Sequence, residues 1–187
     1  MKYVISQREI DYSGRELRSG WICETFGVEG DAIAAFVGGC DVDPAFMVDL
    51  EDLEAGEEIF SRKMLHFIVE HTSSTPTEIV ARQRLLVVII KEVLEEMVPL
   101  LRIRRVGDDL FDGGFKLTVS IATMGGGGKI GLIHTGINID PKGAPVPAKG
   151  LMDYGIEPDR FAGLVAERYV EEVLSIGHAS RKVRHVQ

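Results

Sequence analysis

The segment Thr75–Met97 constrains the fold of this chain more than any other. Thr75 is a good N-cap, Pro76 suits the first helical position, and Glu78 completes a capping box. Apolar residues run from Ile79 through the unbroken stretch Leu85–Ile90 to Val93, Leu94 and Met97. They cover most of the surface of the helix, so the expectation is a helix largely buried against a sheet. Leu85–Ile90 taken alone reads as a strand. The charged flanks and the cap decide for helix, and Pro99 helps to stop it.

The rest of the chain supplies the sheet. Strands are expected at Tyr3–Ile5, at Asp31–Val37 ending on Gly38-Gly39, and at Met64–His71. Further strands are expected near Leu100–Arg105, Leu110–Phe111, Phe115–Thr123 and Lys129–Ile139. Ser13 with Glu16 three residues later reads as a capping box for a helix over Gly14–Ile22. A short acidic helix near Met47–Leu53 ends at Gly56, and a last helix follows the proline-rich loop at about Pro158–Ser175. No internal repeat or interdomain linker is visible. The reading is an α+β single domain, residues 1–187, with a mostly antiparallel sheet and helices packed on one side.

Composition narrows the classes. The chain has 187 residues, 45% apolar and 27% charged, which suits one globular domain and excludes wholesale disorder. No apolar run reaches the length of a membrane span. The N-terminus lacks the apolar stretch of a signal peptide, so a cytoplasmic location is expected, with Cys23 and Cys40 as reduced, packed or inert thiols. The net charge of −8 is uneven: residues 1–60 carry 14 acids and 4 bases, and Asp41–Glu58 holds eight acids and no base. An acidic surface disfavours nucleic acid as a partner. The acidic run reads as a solvated face, or as a patch that meets a basic protein partner. It lacks the spacing of a calcium loop.

Several motifs invite chemistry. Gly125–Gly128 with Lys129 resembles a phosphate loop but fails its pattern, because Thr123 stands where the first glycine belongs and Ile130 follows the lysine. A hairpin tip and a ligand-covering loop both remain open for it. His66 and His71 flank Glu70 without zinc-protease spacing, and on a strand His71 points away from His66 and Glu70. Alternation puts Lys116, Thr118 and Ser120 on one face of a strand, and His134 and Asn138 on one face of the next. If these polar faces coincide, they line one concave surface together with His66 and Glu70. That is the composition of a small-molecule site. An ordinary antiparallel sheet, wetted on one side, explains the same pattern equally well. Asp108-Asp109 suits either a magnesium pair or turn chemistry.

Gly107-Asp108-Asp109-Leu110-Phe111, then Lys116-Leu117, then Gly136-Ile137-Asn138-Ile139 resembles the catalytic domain of biotin and lipoate protein ligases. Ala34–Leu53 is similar to the lipoate-ligase strand, turn and acidic helix. The resemblance implies a ligase-like α+β core, ATP with Mg²⁺ as cofactor, Lys116 as the stabiliser of an acyl-adenylate, Asp109 and Asp108 near metal and nucleotide, and Asn138 shaping the pocket. In place of the arginine- and glycine-rich phosphate loop, the chain has only Phe60-Ser61-Arg62-Lys63, which makes Arg62 the candidate ligand-binding cation there. More narrowly, Met64–His71, Lys116–Thr123 and His134–Ile139 resemble a chiefly archaeal domain-of-unknown-function family, number three hundred and sixty-six, which implies a fold rather than a reaction. The preferred expectation is a binder of a small carboxylate-bearing or nucleotide ligand. The alternatives are an ATP-dependent acyl ligase, or a non-catalytic accessory protein that uses the acidic run. A homo-oligomer is left open.

Overall fold

A computed structural model describes residues 1–184 and Val186. Five strands form the main sheet: β1 (Lys2–Ile5), β2 (Ala32–Asp41), β3 (Phe60–Thr72), β7 (Thr118–Gly125) and β8 (Ile130–Asp140). Their order is β1-β2-β3-β8-β7, and every pairing is antiparallel except β1 with β2. A small second sheet holds β4 (Arg104–Val106), β5 (Asp109–Asp112) and β6 (Phe115–Lys116). Among the described residues, four α-helices complete the fold: α1 (Trp21–Phe26), α2 (Leu50–Ala55), α3 (Pro76–Met97) and α4 (Pro158–Arg181).

The helix expected over Thr75–Met97 is α3. The Thr75 hydroxyl accepts from the Glu78 amide, one half of the expected capping box, while the Glu78 carboxylate accepts from Arg82 instead of the Thr75 amide. Leu86, Ile90, Val93 and Leu94 of α3 and Phe161, Val165 and Tyr169 of α4 bury one face of the sheet. Against them lie Ile33, Ala35, Leu65, Phe67, Val69, Ile133 and Ile137. Each large side chain buried there contributes about 1.5–3 kcal/mol. The expectation of helices packed on one side holds for these two.

The other face is not simply wetted. Residues 10–22 strap across it, burying Tyr12, Leu17, Trp21 and Ile22 against Ala34, Phe36, Met64, Ile68 and Leu132. The strap corrects two local expectations. Ser13 and Glu16 do pair, the carboxylate accepting the Ser13 amide at 2.8 Å. Yet no helix forms over Gly14–Ile22, because Gly14 and Gly20 take left-handed backbone angles that break a helix. The helix is delayed to Trp21–Phe26. Likewise β2 does not stop at Gly38-Gly39 but bulges there and runs on to Asp41. A Cβ on Gly38 would stand 1.9 Å from the Ile10 carbonyl oxygen, so glycine here admits the strap rather than ending a strand.

Three boundaries also move. The acidic helix begins at Leu50, capped by the Asp49 carboxylate, and ends at Gly56 as expected. The strand expected from Leu100 is confined to Arg104–Val106, and α4 runs past Ser175 to Arg181. Gly125–Gly128 is the tight hairpin tip between β7 and β8, closed by the Gly128 amide donating to the Gly125 carbonyl.

Candidate functional site

The strap covers β2, β3 and the Leu132–His134 part of β8, and leaves open the surface around Asn138 of β8 and Val119 and Ile121 of β7. A cleft of about 500 Å³ lies there. Met64 of β3, His134 and Asn138 of β8, Val119 and Ile121 of β7, and Tyr12 of the strap line its floor. One wall comes from residues 46–60, which include α2. The other comes from Asp108, Asp109 and Lys116 of the small sheet and from the Ala144–Val146 stretch. Lys116 is held in place through its backbone: its amide donates to the Pro147 carbonyl, and its carbonyl accepts from Lys149.

The floor combines an aromatic stack with unspent polar groups. The His134 ring stacks on Tyr12, with centroids 3.7 Å apart and planes 9° from parallel. Its Nε2 lies 3.0 Å from Nδ1 of His66, which is buried beneath it and stacked on Phe36. Burial holds the His66 ring down at about 4 and the His134 ring well below the usual histidine range. Both rings are therefore neutral near pH 7, and one proton between them satisfies the contact. Asn138 Oδ1 accepts from the Ser61 hydroxyl at 2.8 Å. His134 and Asn138 are only 3% and 5% exposed. Among the described residues, His134 Nδ1 and the Asn138 amide nitrogen make no hydrogen bond and open onto the cleft, whereas the buried ring nitrogen without a partner is His66 Nε2.

The rim is dominated by carboxylates. Asp49, Glu51, Asp52, Glu57, Glu58, Asp108 and Asp109 border the cleft, against the single ammonium of Lys116. Lys116 is paired with Asp109 at 3.0 Å. Asp108 receives Arg84 at 2.7 Å and the Gln83 amide at 2.8 Å. Burial raises the Asp108 carboxyl above its ordinary range, against the pull of Arg84. Burial and the neighbouring Asp49 do the same to Asp52.

The family model for the domain of unknown function DUF366 matches residues 1–184. The chain belongs to that family. The uncharacterized protein MJ0805 of Methanocaldococcus jannaschii is 35% identical to the DUF366 chain, over 97% of this chain and 84% of its own length. A solved protein of unknown function from Pyrococcus horikoshi superposes with a TM-score of 0.94 at 35% identity, each chain fully covered. The fold extends to a biotin protein ligase mutant from Aquifex aeolicus in complex with biotin. That likeness has a TM-score of 0.61 at 14% identity and covers 92% of this chain and 70% of the ligase. It extends also to Ta0514 of T. acidophilum, a putative lipoate protein ligase with bound lipoic acid, at a TM-score of 0.57 and 14% identity over 94% and 86%. The DUF366 chain thus has the ligase-like α+β fold. Among the described residues, no helix is long and apolar enough to cross a membrane.

Within this DUF366 fold the expected site residues separate. Lys116, Asp108, Asp109, His134 and Asn138 do meet at the cleft. Thr118 and Ser120 border it, because β7 is the edge strand, but their hydroxyls turn away. Register explains this: Ile121 stands opposite His134 and Val119 opposite Gly136, so the odd residues of β7 share a face with the even residues of β8. The Thr118 hydroxyl accepts from the Leu110 amide, and Ser120 pairs with Thr135 at 2.8 Å. His66 lies one layer below the cleft. Glu70 is elsewhere: its carboxylate accepts the Gly20 and Ile22 amides at 2.7 and 2.8 Å and so anchors the start of α1. Arg62 lies outside the cleft, 59% exposed and paired with Asp140.

The arrangement does not fit magnesium–ATP. Asp108 and Asp109 are each paired with a cation, Arg84 and Lys116 respectively. A triphosphate would meet seven carboxylates and one lysine already engaged by Asp109. Sequence reasoning missed Tyr12 and Ser61, for which no local signal exists. It also read Asp41–Glu58 as a surface patch, although five of its eight acids border the cleft. The absence of any base in that run was the available signal.

Proposed function

We propose that this protein binds a small organic molecule in the cleft, with an apolar or aromatic body against Tyr12, Met64, Val119 and Ile121. One observation supports the reading above the rest. His134 and Asn138 are almost fully buried, yet each keeps an unspent hydrogen-bonding group on an otherwise apolar floor. Both groups open onto the cleft, where a ligand group can pair with them directly. A ligand with a polar end would satisfy both. The test is a thermal-shift panel of biotin, lipoate, octanoate, ATP with magnesium, and neutral and amine analogues of the acids. A ligand at about a hundred times its dissociation constant adds about 2.7 kcal/mol of stability. The expected result is a shift with at least one probe that disappears in Asn138→Leu and His134→Phe. A shift unchanged in both variants would overturn the reading.

The fold shared with biotin and lipoate ligases favours a second reading, an ATP-dependent acyl ligase with Lys116 at the acyl-adenylate. Its signature is magnesium-dependent pyrophosphate release on addition of biotin, lipoate or octanoate. The acidic rim leads us to expect none. Release that is lost in Lys116→Ala, with the fold intact, would establish the ligase reading instead.

A further inference from the structure

The charge of the cleft points to the class of ligand. We infer that the cleft selects a small molecule bearing a protonated amine, whose charge sits at the acidic rim while its polar inner end meets His134 and Asn138. This rests on the small-molecule reading above and adds the sign of the ligand. Two independent features carry it. First, seven carboxylates border one cavity; Lys116 engages Asp109 at 3.0 Å and Arg84 engages Asp108 at 2.7 Å, which leaves Asp49, Glu51, Asp52, Glu57 and Glu58 without an ion pair among the described residues. A carboxylate ligand would have to displace Asp109 and then face the remaining acids. An amine would meet them with opposite charge. Second, the floor of the same cavity holds the two buried side chains with unspent polar atoms, so the acids surround a built site rather than a bare patch.

The raised Asp52 carboxyl agrees with this, because burial and the neighbouring Asp49 disfavour its negative charge. The body of the ligand is set by Tyr12, Phe46, Val48, Val119 and Ile121, a lining that suits an alkyl chain or one aromatic ring.

Matched pairs of probes isolate the charge. Octylamine and octanoate share an alkyl body, and tyramine and 3-(4-hydroxyphenyl)propionate share a phenol. Titration calorimetry is expected to give each amine an affinity at least about tenfold above its acid. Raising salt to about 0.5 M should shrink that preference, because rim charges are screened over a few ångströms there. Asp52→Asn combined with Glu58→Gln should shrink it as well. Both residues lie at the rim, so the fold should survive, and a circular-dichroism melt checks this. If the acid of either pair binds as tightly as its amine, the inference about charge is overturned and the small-molecule reading stands. An amine preference that survives both salt and the double variant also overturns the role given to the rim. If no member of either pair binds, the inference about charge is overturned, and the small-molecule reading is decided by the thermal-shift panel.

Discussion

Strand β8 has two faces, and they are built differently. Ile133, Ile137 and Ile139 turn toward α3 and α4, where Thr135 is paired with Ser120 and the packing closes around them. His134 and Asn138 turn the other way, into a cleft where each keeps an unpaired polar atom. What separates them is access: Thr135 spends its hydroxyl on Ser120 inside the packing, whereas His134 and Asn138 present a polar edge to the cleft. The helix face is finished, and its residues act through stability. The cleft face is unfinished, and its residues are the ones for which a ligand can matter.

The broadest way to probe this comparison is acid. Each face also buries a neutral histidine: His66 beneath the cleft, and His71 under α4, hydrogen-bonded to the Tyr169 hydroxyl at 2.9 Å. Burial holds both at about 4, below the ordinary 6.5, with Arg82 adding to the effect on His71. The unfolded chain therefore binds more protons between these values. The stability that these groups contribute is present above pH 6.5 and is lost as pH falls toward 4. Urea denaturation across that window should show a loss on the order of 3 kcal/mol for each ring. A stability unchanged down to about pH 4.5 would contradict the neutral burial of both.

A cut into the finished face should act on stability alone. Leu86 of α3 is fully buried in the helix-face core. Leu86→Ala should cost about 3 kcal/mol through the cavity it leaves, while any probe bound in the cleft keeps its affinity. A matching loss of probe affinity would mean that the faces are coupled.

The smallest effect is expected at the rim and has the opposite sign. The Asp52 carboxyl is held above its ordinary value, so its contribution to stability is fully present below that value and is lost as pH rises through the raised one. Near neutral pH its charge is a net cost. Asp52→Asn should therefore stabilise the protein slightly, by less than about 0.5 kcal/mol after solvent screening. A loss of stability in that variant would show that the acidic wall is a structural requirement.

Much of the architecture was legible in the residues. The cap and apolar surface of Thr75–Met97 specify α3 because those signals are local, and they reappear as the Thr75 hydroxyl bond and the buried Leu86–Leu94 face. Alternation correctly separated His71 from His66, and His134 from Ile133. It failed at Thr118 and Ser120, whose hydroxyls are spent inside the fold. It failed differently at Glu70, where a carboxylate on the expected face caps a helix fifty residues away in sequence. The Ser13–Glu16 pair formed without its helix, since the positive backbone angle at Gly14 overrides a capping motif.

By itself the sequence determined the two long helices and the long strands of the main sheet, which side chains share a face within one strand, the family, and the acidic bias of residues 41–58. Tertiary structure alone decided which faces of different strands meet. It also folded the acidic run over the sheet as a cleft wall and joined Lys116 to Asp109. The physical reason is range. Periodicity and capping are set by neighbours a few residues apart, whereas register and charge pairing depend on residues that only the closed fold brings within a few ångströms.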